Sequence, residues 1–349
     1  MKYSVVVPVF NRPEEVDELL DSLTRQTMRN FEVVIVEDGS HTPCRQVCDK
    51  YTDRLDLKYF MKENSGPGQS RNFGVVRAKG EYVIILDSDV VLPEGYLQAV
   101  EDELQREPCD AFGGPDRAHD SFTDTQKAIS YSMTSFFTTG GIRGGKKKLD
   151  KFYPRSFNMG IRRDVYQTLG GFSKMRFGED VDFSIRLFEA GYKCRLFPEA
   201  WVYHKRRTDF RKFWRQVFNS GIARINLYMR HPESLKVVHL LPMMFTLGMF
   251  LLMAMFLFGI FVGVFVGPYV DPPFGLMICT AALLPPVLYS LIIFIDSSIC
   301  NRSIKIGLLS IHAAFTQLIG YGCGFLDAWW KRCIKDRDEY SAYSKNFYQ

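Results

Sequence analysis

The sequence lacks the features that mark several common classes of protein. None of its eight cysteines stands in a C-x-x-C pair or beside a histidine cluster, so we expect no structural zinc. Eight cysteines in 349 residues are too few for a disulfide scaffold, so we expect reduced thiols. No repeat of solenoid period is present, and the short apolar run after Met1 has no small-residue cleavage site, so we expect no signal peptide.

The charge is not distributed as in a protein that binds nucleic acid over its whole surface. The 44 Lys and Arg exceed the 39 Asp and Glu by five, and the stretch 205–236 alone holds nine basic and two acidic residues. The basic character is therefore local, which argues against a nucleic-acid partner. A basic stripe followed by long apolar runs favours an anionic lipid surface as the partner.

Long apolar runs follow residue 239. Leu240–Val266 is 27 residues without a charge, and a membrane span needs about 20. Phe274–Ile295 is a second uncharged run, in which Pro285-Pro286 predicts a kink. Ile304–Leu326 is weaker because it includes polar residues. We predict an α/β domain at 1–220, a basic linker at 221–238, a membrane region at 239–326 with helices near 240–266, 274–295 and 304–326, and a polar tail at 327–349.

The basic residues also orient these helices. The stripe before the first helix predicts that the N-terminal domain is cytosolic, and Gly267–Pro273, without Lys or Arg, is predicted to lie outside. Asp296–Ser303 carries Arg302 and returns to the cytosol. A third crossing would put a basic tail outside, so we favour a third segment that does not cross. Trp329-Trp330 is an interfacial anchor under either arrangement.

Before residue 239, short apolar runs alternate with amphipathic segments. This alternation predicts an α/β fold with a mostly parallel sheet and helices on both faces. Ligands of such sheets bind beyond the carboxyl ends of the strands, so the polar ends Pro8–Asn11, Glu37–Ser40 and Asp87–Asp89 predict one site. The predicted strands are Tyr3–Phe10, Phe31–Val36, Leu57–Met61 and Tyr82–Leu86, and the predicted helices are Pro13–Arg25, Gln69–Ala78 and one that opens at Pro93.

Two carboxylates stand one residue apart at the end of the fourth strand. Asp87 and Asp89, on either side of Ser88, could hold a divalent cation between them and a diphosphate, because Mg²⁺ and Mn²⁺ accept carboxylate and phosphate oxygens together. Alone, the pair is more typical of a solvated turn. Its place at the predicted ligand edge favours the metal.

Two further motifs could contact a ligand at this edge. Asp38 ends the second strand and could accept hydrogen bonds from a base or ribose, or could instead form an Asx turn with Gly39. The glycine-rich stretch Asn64–Asn72 runs into a helix whose amides attract anions, with Arg71 about one turn inside.

An acidic cluster and a histidine come later in the chain. Asp180 could be an N-cap, but a cap needs one carboxylate, and Glu179 and Asp182 stand beside it. Clustered acids are where a base with a shifted pKa is found. His204 ends a strand-like run at Ala200–Tyr203 and could complete the coordination of a metal.

Together these motifs resemble those of the family-2 glycosyltransferases with the GT-A fold, over about residues 3–220. The resemblance implies transfer of sugar from a nucleoside-diphosphate sugar with inversion. The motifs that carry it, in order, are Val5–Asn11, Val36–Ser40, Gly68–Asn72, Asp87-Ser88-Asp89, Gly170-Gly171-Phe172 with Glu179-Asp180, and His204.

The resemblance also assigns roles. Asp38 would meet the nucleobase, and Arg71 and Asp87 the base and ribose side. Mn²⁺ or Mg²⁺ would bind Asp89. The donor site would comprise Pro8, Asn11, Asp38, Arg71, Asp87 and Ser88, the metal ligands would be Asp89, Asp87 and His204, and Asp180 would be the general base with Glu179 as its neighbour.

One departure from the family limits the reaction. Processive members carry a Q-x-x-R-W motif before their membrane helices, and here Phe213-Trp214-Arg215-Gln216 takes its place. We therefore expect non-processive transfer of one sugar, with a lipid-linked or other saccharide as acceptor, at the cell (inner) membrane and in synthesis of the cell envelope.

Other functions remain as alternatives. The acceptor could be polyprenyl phosphate itself, or the chain could be an inactive membrane scaffold. A transporter is disfavoured because the first two apolar runs hold no acid or base. The basic loop Arg143–Lys151 is either a solvated loop or a lid over the diphosphate, Lys205–Arg215 is expected on anionic headgroups, and Ala118–Tyr153 is expected to be a loop that sets selectivity.

Overall fold

The computed structural model describes residues 1–117, 122–139, 152–205, 208–266 and 273–343. The predicted basic loop Arg143–Lys151 and almost all of the predicted outer loop fall outside these residues. The chain forms two compact units. The α/β unit comprises Met1–Asp120, Asp150–Lys205 and Glu339–Gln349, and the helical unit comprises Ser121–Leu149 and Arg206–Asp338.

The described strands and helices alternate in the first part of the chain, as predicted. The strands are β1 (Tyr3–Val9), β2 (Phe31–Asp38), β3 (Asp56–Lys62), β4 (Tyr82–Leu86), β5 (Val90–Val91), β6 (Ala111–Gly113), β7 (Asp116–Arg117), β8 (Asn158–Arg162), β9 (Cys194–Leu196) and β10 (Val202–His204). The helices are α1 (Pro13–Thr24), α2 (Arg45–Asp49), α3 (Pro67–Arg77), α4 (Tyr96–Arg106), α5 (Asp124–Thr134), α6 (Phe136–Thr139), α7 (Arg163–Thr168), α8 (Glu179–Glu189), α9 (Phe210–Arg230), α10 (Leu241–Phe261), α11 (Pro273–Asn301), α12 (Ile304–Ala328) and α13 (Glu339–Tyr343).

The main sheet of the α/β unit has seven strands in the order β3-β2-β1-β4-β8-β6-β9. The first four are parallel, with Val5 opposite Val33 on one side and Ile84 on the other. β8 runs antiparallel to both of its neighbours. The predicted mostly parallel sheet is therefore confirmed. A second sheet, β5-β10-β7, pairs His204 with Val90.

Helices cover both faces of the main sheet, because alternate side chains of each buried strand point to opposite sides. On β1, Val5 and Val7 pack in a core with Leu19 and Leu20 of α1, while Val6 packs in a second core with Val75 of α3 and Phe183 of α8. Burial of such side chains supplies the main driving force for folding.

The helix predicted to open at Pro93 begins three residues later, at Tyr96. The carbonyl oxygen of Pro93 accepts hydrogen bonds from Tyr96 N at 3.0 Å and from the Gln26 side chain at 2.8 Å. These bonds hold Pro93 in the turn that precedes the helix.

The helical unit contains three helices long and apolar enough to cross a membrane, as predicted. A π-type turn at Val262–Val266 extends α10. Both prolines of the predicted kink lie inside α11. The predicted loop Asp296–Ser303 is wrong, since α11 continues to Asn301. Asp296 does not end the helix because its carboxylate accepts a hydrogen bond from Tyr131 of α5 at 2.5 Å.

Helices α9 and α12 pack unusually closely. A β-carbon at Gly221 of α9 would lie 2.2 Å from the Tyr321 carbonyl oxygen, and one at Gly324 of α12 would lie 2.0 Å from the Phe218 carbonyl oxygen. Only glycine permits this approach of backbones. Half of the most apolar window of α12 is consequently buried inside the unit, against 11% for α10 and for α11.

Candidate active site

The polar ends of β1 and β2 meet at one edge of the sheet. The N–H of Asn11 donates to Ser40 Oγ at 2.7 Å, and Asn11 Oδ1 accepts from the N–H groups of His41 and Thr42 at 2.8 and 3.0 Å. Pro8 lies on β1 opposite Val36, at the same edge. The predicted convergence of these strand ends is confirmed.

Asp38, at the end of β2, holds the glycine-rich stretch in place. Its carboxylate accepts from the N–H groups of Ser65 at 2.9 Å and Gly66 at 2.8 Å, and it pairs with Lys62. These bonds run to a different loop, so the alternative of a local Asx turn does not describe this carboxylate. Asp38 thereby fixes the approach to α3.

Arg71 joins two acidic motifs that are far apart in sequence. Its guanidinium lies 2.7 Å from Asp87 Oδ1 and 2.9 Å from Glu179 Oε1, and its side chain is 4% exposed. Burial opposes the charge, but the two carboxylates outweigh it and raise the pKa of Arg71. Helix α3 can carry Arg71 this close to the sheet because Gly74 leaves room, since a β-carbon there would lie 2.5 Å from Val6 Cγ1.

Asn72 ties α3 to the Gly170-Gly171-Phe172 motif. Its Oδ1 accepts from Phe172 N at 2.9 Å and from the Tyr166 hydroxyl at 2.6 Å, and its amide donates to the Phe172 carbonyl at 2.9 Å. Gly171 has φ +69° and contacts Asn72 so closely that a β-carbon would collide with it. These contacts position the acidic motif that follows.

Each carboxylate of the acidic motif is matched by its own arginine. Glu179 pairs with Arg71 as described, while Arg155 Nε lies 3.2 Å from Asp180 Oδ2 and Arg186 lies 2.9 Å from Asp182 Oδ2. The N-cap alternative for Asp180 is not found, because α8 begins at Glu179 with Gly178 at the cap. Asp182 also accepts from Ser173 Oγ at 2.6 Å, which makes it a structural residue.

The two remaining acids of the motif differ in environment. Burial, with the charge of Asp180, raises the pKa of Glu179, although Arg71 opposes the shift. Asp180 Oδ1 accepts the N–H of Val181 at 2.8 Å, and its second oxygen faces Arg155, whose side chain is 41% exposed. The arginine paired with Asp180 is therefore far more exposed than Arg71, which pairs with Glu179.

Asp87, Asp89 and His204 form a group able to hold a metal ion. One ligand atom from each lies within 4.8 Å of the others. The antiparallel pairing of β10 with β5 creates the group, because β5 begins directly after Asp89 and lies opposite His204. The imidazole stacks on the Phe157 ring at 4.8 Å with Nε2 3.3 Å from Asp89 Oδ1.

The donor atoms fit a divalent cation. Two carboxylates and one imidazole are ligands that first-row divalent metals accept, and carboxylate oxygens suit Mg²⁺ and Mn²⁺. Ser88, between the two acids, is buried. Arg12 Nη1 lies 2.6 Å from Asp89 Oδ2, and this contact, with burial opposing it, raises the pKa of Arg12. The positive charge of Arg12 therefore neutralises part of the negative charge of Asp87 and Asp89.

Sequence reasoning missed Arg12 and Arg155. Arg12 directly follows the predicted strand-end residue Asn11, which is a signal that a basic side chain stands at the site. Nothing in the sequence relates Arg12 to Asp89, 77 positions later. Arg155 lies just after a predicted basic loop and has no motif of its own.

The sequence profile of the family described as Glycosyl transferase family 2 matches residues 4–170. This segment is a family-2 glycosyltransferase domain. The glycosyltransferase domain holds Asp38, Arg71 and the Asp87–Asp89 pair, while Glu179, Asp180 and His204 follow the matched segment.

A solved structure shares the fold over nearly the whole chain. The mannosyltransferase PcManGT from Pyrobaculum calidifontis, in complex with GDP-Man and Mn²⁺, has a TM-score of 0.57 and 16% identity, covering 95% of this chain and 88% of that one. The predicted GT-A fold of the glycosyltransferase domain, followed by a helical region, is confirmed.

Curated relatives match parts of the chain. TarS from Staphylococcus aureus, a poly(ribitol-phosphate) β-N-acetylglucosaminyltransferase, is 42% identical over 93 residues, which are 26% of this chain and 16% of TarS. Glycosyltransferase AglE from Haloferax volcanii is 24% identical over 250 residues, or 70% of this chain and 80% of AglE. The roles assigned to single site residues stay predictions.

Proposed function

We propose that this protein is a membrane-bound, inverting and non-processive glycosyltransferase. It moves one sugar from a nucleoside-diphosphate sugar to a lipid-linked saccharide. The observation that carries the proposal is the Asp87–Asp89–His204 group, joined through Arg71 to the acidic motif of Glu179 and Asp180. Through Arg71, the proposed diphosphate site and the candidate base are therefore connected within the α/β unit.

Different residues serve the separate steps by which the acceptor hydroxyl displaces the nucleoside diphosphate from the sugar. Asp87, Asp89 and His204 would hold Mn²⁺ or Mg²⁺, which when bound supplies positive charge for the leaving diphosphate. Asp38, Arg71, Pro8, Asn11 and Ser88 line the donor side. Asp180 accepts the proton of the acceptor hydroxyl, and Arg155, being partly exposed, can turn away to admit it. Glu179 and Arg71 hold the start of α8 against the donor side.

The helical unit supports attachment to a membrane with the α/β unit in the cytosol. Helices α10 and α11 are the two spans, since both expose most of their apolar side chains. The basic residues of α9, which precede α10, favour a cytosolic start.

Contacts of α12 support our expectation that it does not cross. Phe210 of α9 meets His312 with ring centroids 4.2 Å apart, and Asn226 accepts from Arg332 at 3.0 Å, so α9 accompanies α12 along most of its length. Helix α9 exposes Arg211 and Arg215, which hydrocarbon would not accommodate.

Release of nucleoside diphosphate tests the proposal. The detergent-purified full chain is incubated with a panel of nucleotide sugars and Mn²⁺ or Mg²⁺, with and without membrane lipid extract. We expect release from one donor that requires metal and rises with lipid. Asp180→Asn should lower the rate by about 100-fold or more, which is the range for a lost general base. Asp89→Asn should abolish the increase in rate that the metal gives, because it removes a ligand of the proposed metal site.

The control is Asp164→Asn, an exposed acid on α7 that pairs with Arg162 away from the site. It should leave the rate unchanged. Release equal in wild type and both site variants, or none from any donor by folded protein, would contradict the proposal and favour an inactive scaffold. If polyprenyl phosphate is the effective acceptor and a lipid-linked saccharide is not, the proposed acceptor is wrong. The anomeric configuration of the product tests whether the reaction inverts.

A further inference from the structure

Residues 122–139 do not form the selectivity loop expected from the sequence. They fold into α5 and α6 and belong to the helical unit, although they lie in sequence between two parts of the α/β unit. On α5, Ala128, Ile129 and Met133 pack with Ile306 and Ala313 of α12. Tyr131 packs with Ile293 of α11 and Ala314 of α12. We call residues 122–139 the α5–α6 segment.

Three polar contacts fix the direction of this segment. Asp124 pairs with Lys305 at 2.8 Å, at the start of α12. Tyr131 donates to Asp296, and the carbonyl oxygen of Phe137 accepts from the Tyr289 hydroxyl at 3.2 Å. From Asp124 to Phe137 the segment therefore runs from the polar turn between α11 and α12 to Tyr289, which lies seven residues before Asp296 on α11.

Helix α10 shows how deep the segment reaches. The ring of Tyr289 packs on that of Phe245 with centroids 5.4 Å apart. Phe245 lies four residues after Leu241, the first residue of α10, which is about 6 Å along the helix axis. Interfacial helices bury their apolar face about 5–10 Å into the boundary between headgroups and acyl chains. The end of the α5–α6 segment lies at a matching depth.

Side chains of the segment bind several of its own backbone carbonyl groups, which lowers the cost of placing the backbone in hydrocarbon. The helix breaks at Ser135, between α5 and α6. Hydroxyl groups cover the carbonyl oxygens around the break: Thr134 Oγ1 donates to Ser130 O at 2.9 Å, Thr138 Oγ1 donates to Ser132 O, and Thr139 Oγ1 donates to Ser135 O at 2.8 Å.

Two aromatic side chains of α6 face outward from this position. Phe136 is 69% exposed and Phe137 is 45% exposed. Residues 128–139 carry no charge. Leu288 and Ile292 of α11, on either side of Tyr289 in sequence, are exposed as well and belong to the second proposed span. A pair of exposed phenylalanines on a short helix fits acyl chains rather than water.

We propose that the α5–α6 segment inserts Phe136 and Phe137 into the lipid bilayer at the boundary of headgroups and acyl chains. The occupant of this surface is phospholipid. The inference rests on the proposed membrane attachment through α10 and α11. It adds that a piece of chain between the metal-binding motif and the acidic motif is itself embedded in the membrane.

Photo-cross-linking in lipid nanodiscs tests this. The full chain carries p-benzoylphenylalanine at position 136, at position 288 of α11, or at position 76 of α3, where Val76 is 72% exposed on the α/β unit. We expect irradiation to add the mass of one phospholipid at positions 136 and 288 and none at position 76. Position 137 serves if the protein labelled at 136 does not fold.

The three positions separate the two proposals. A lipid adduct at 288 but not at 136 or 137 would overturn the insertion of α6 and leave the span intact. If no position gives a lipid adduct, both the insertion of α6 and the membrane span at α11 are wrong. A cross-link at 136 to a second copy of the chain, without lipid, would show that protein covers Phe136 and Phe137.

Discussion

At the scale of single residues, the site is held together by arginine–carboxylate pairs drawn from separate elements. Arg71 on α3 contacts Asp87 after β4 and Glu179 on α8, while Arg12 after β1 contacts Asp89. The Arg71–Glu179 pair is largely buried on both sides, and removing one partner of such a pair costs about 3–5 kcal/mol, because the other charge stays buried alone. These pairs therefore matter for folding of the site as well as for its chemistry.

Arg71→Lys should lower the midpoint of thermal unfolding. A lysine ammonium cannot place a planar fork between Asp87 and Glu179, so one of the two carboxylates loses its partner. The matched control is Arg77→Lys, an exposed arginine in the last turn of the same helix. Scanning fluorimetry of the purified chain measures both, and an Arg71→Lys midpoint equal to that of the control would refute this account.

The sequence was sufficient to predict which acidic residues lie at the carboxyl edge of the sheet, but not which residues they pair with. Asp38, Asp87 and Asp89 were recognisable because each follows a buried strand. The contact of His204 with Asp89 depends on β5, a strand of two residues, which no periodicity reveals. Arg12 and Arg155 were missed for a similar reason, because a single arginine that belongs to no motif gives no signal in the sequence.

At the scale of elements, long apolar runs were predictable and short polar helices were not. Helices α10, α11 and α12 follow from composition. The end of α11 was predicted too early because a charged residue such as Asp296 is typical of a loop. Its hydrogen bond from the Tyr131 hydroxyl is seen only in the structure. The α5–α6 segment was missed because its many hydroxyl residues resemble a loop, and their bonds to carbonyl groups appear only in the structure.

Gly324→Ala should destabilise the contact of α9 with α12. The new methyl group would lie 2.0 Å from the Phe218 carbonyl oxygen, and overpacking of this kind costs about 1–3 kcal/mol. Gly248→Ala is the control, since no atom lies within 4 Å of a β-carbon there and the helix itself gains from alanine. Thermal unfolding should separate the two variants, and equal midpoints would argue against close packing of α9 and α12.

At the scale of the whole molecule, the number of crossings decides where the C-terminus lies. With two spans, α10 and α11, the tail after α12 returns to the side of the glycosyltransferase domain. With three, it lies on the opposite side. The basic residues Lys331 and Arg332 favour the first arrangement.

Reporter fusions in a bacterial host measure this topology. Green fluorescent protein fused after residue 349 should fluoresce, and alkaline phosphatase fused there should be inactive, because both then lie in the cytosol. Fusion after Val266, between the two spans, is the control and should give the reverse pattern. Active phosphatase at residue 349 would establish a third crossing.

The path of the chain has a practical consequence for protein production. Because residues 121–149 belong to the helical unit and are encoded inside the α/β unit, no single cut separates a complete soluble part from the rest. A fragment that stops before α10 would keep α5 but lose α12, and would remove Ile306 and Ala313 from the cluster that contains Ala128 and Ile129. Expression of the α/β unit alone thus calls for replacing 121–149 with a short polar linker in addition to removing Arg206–Asp338.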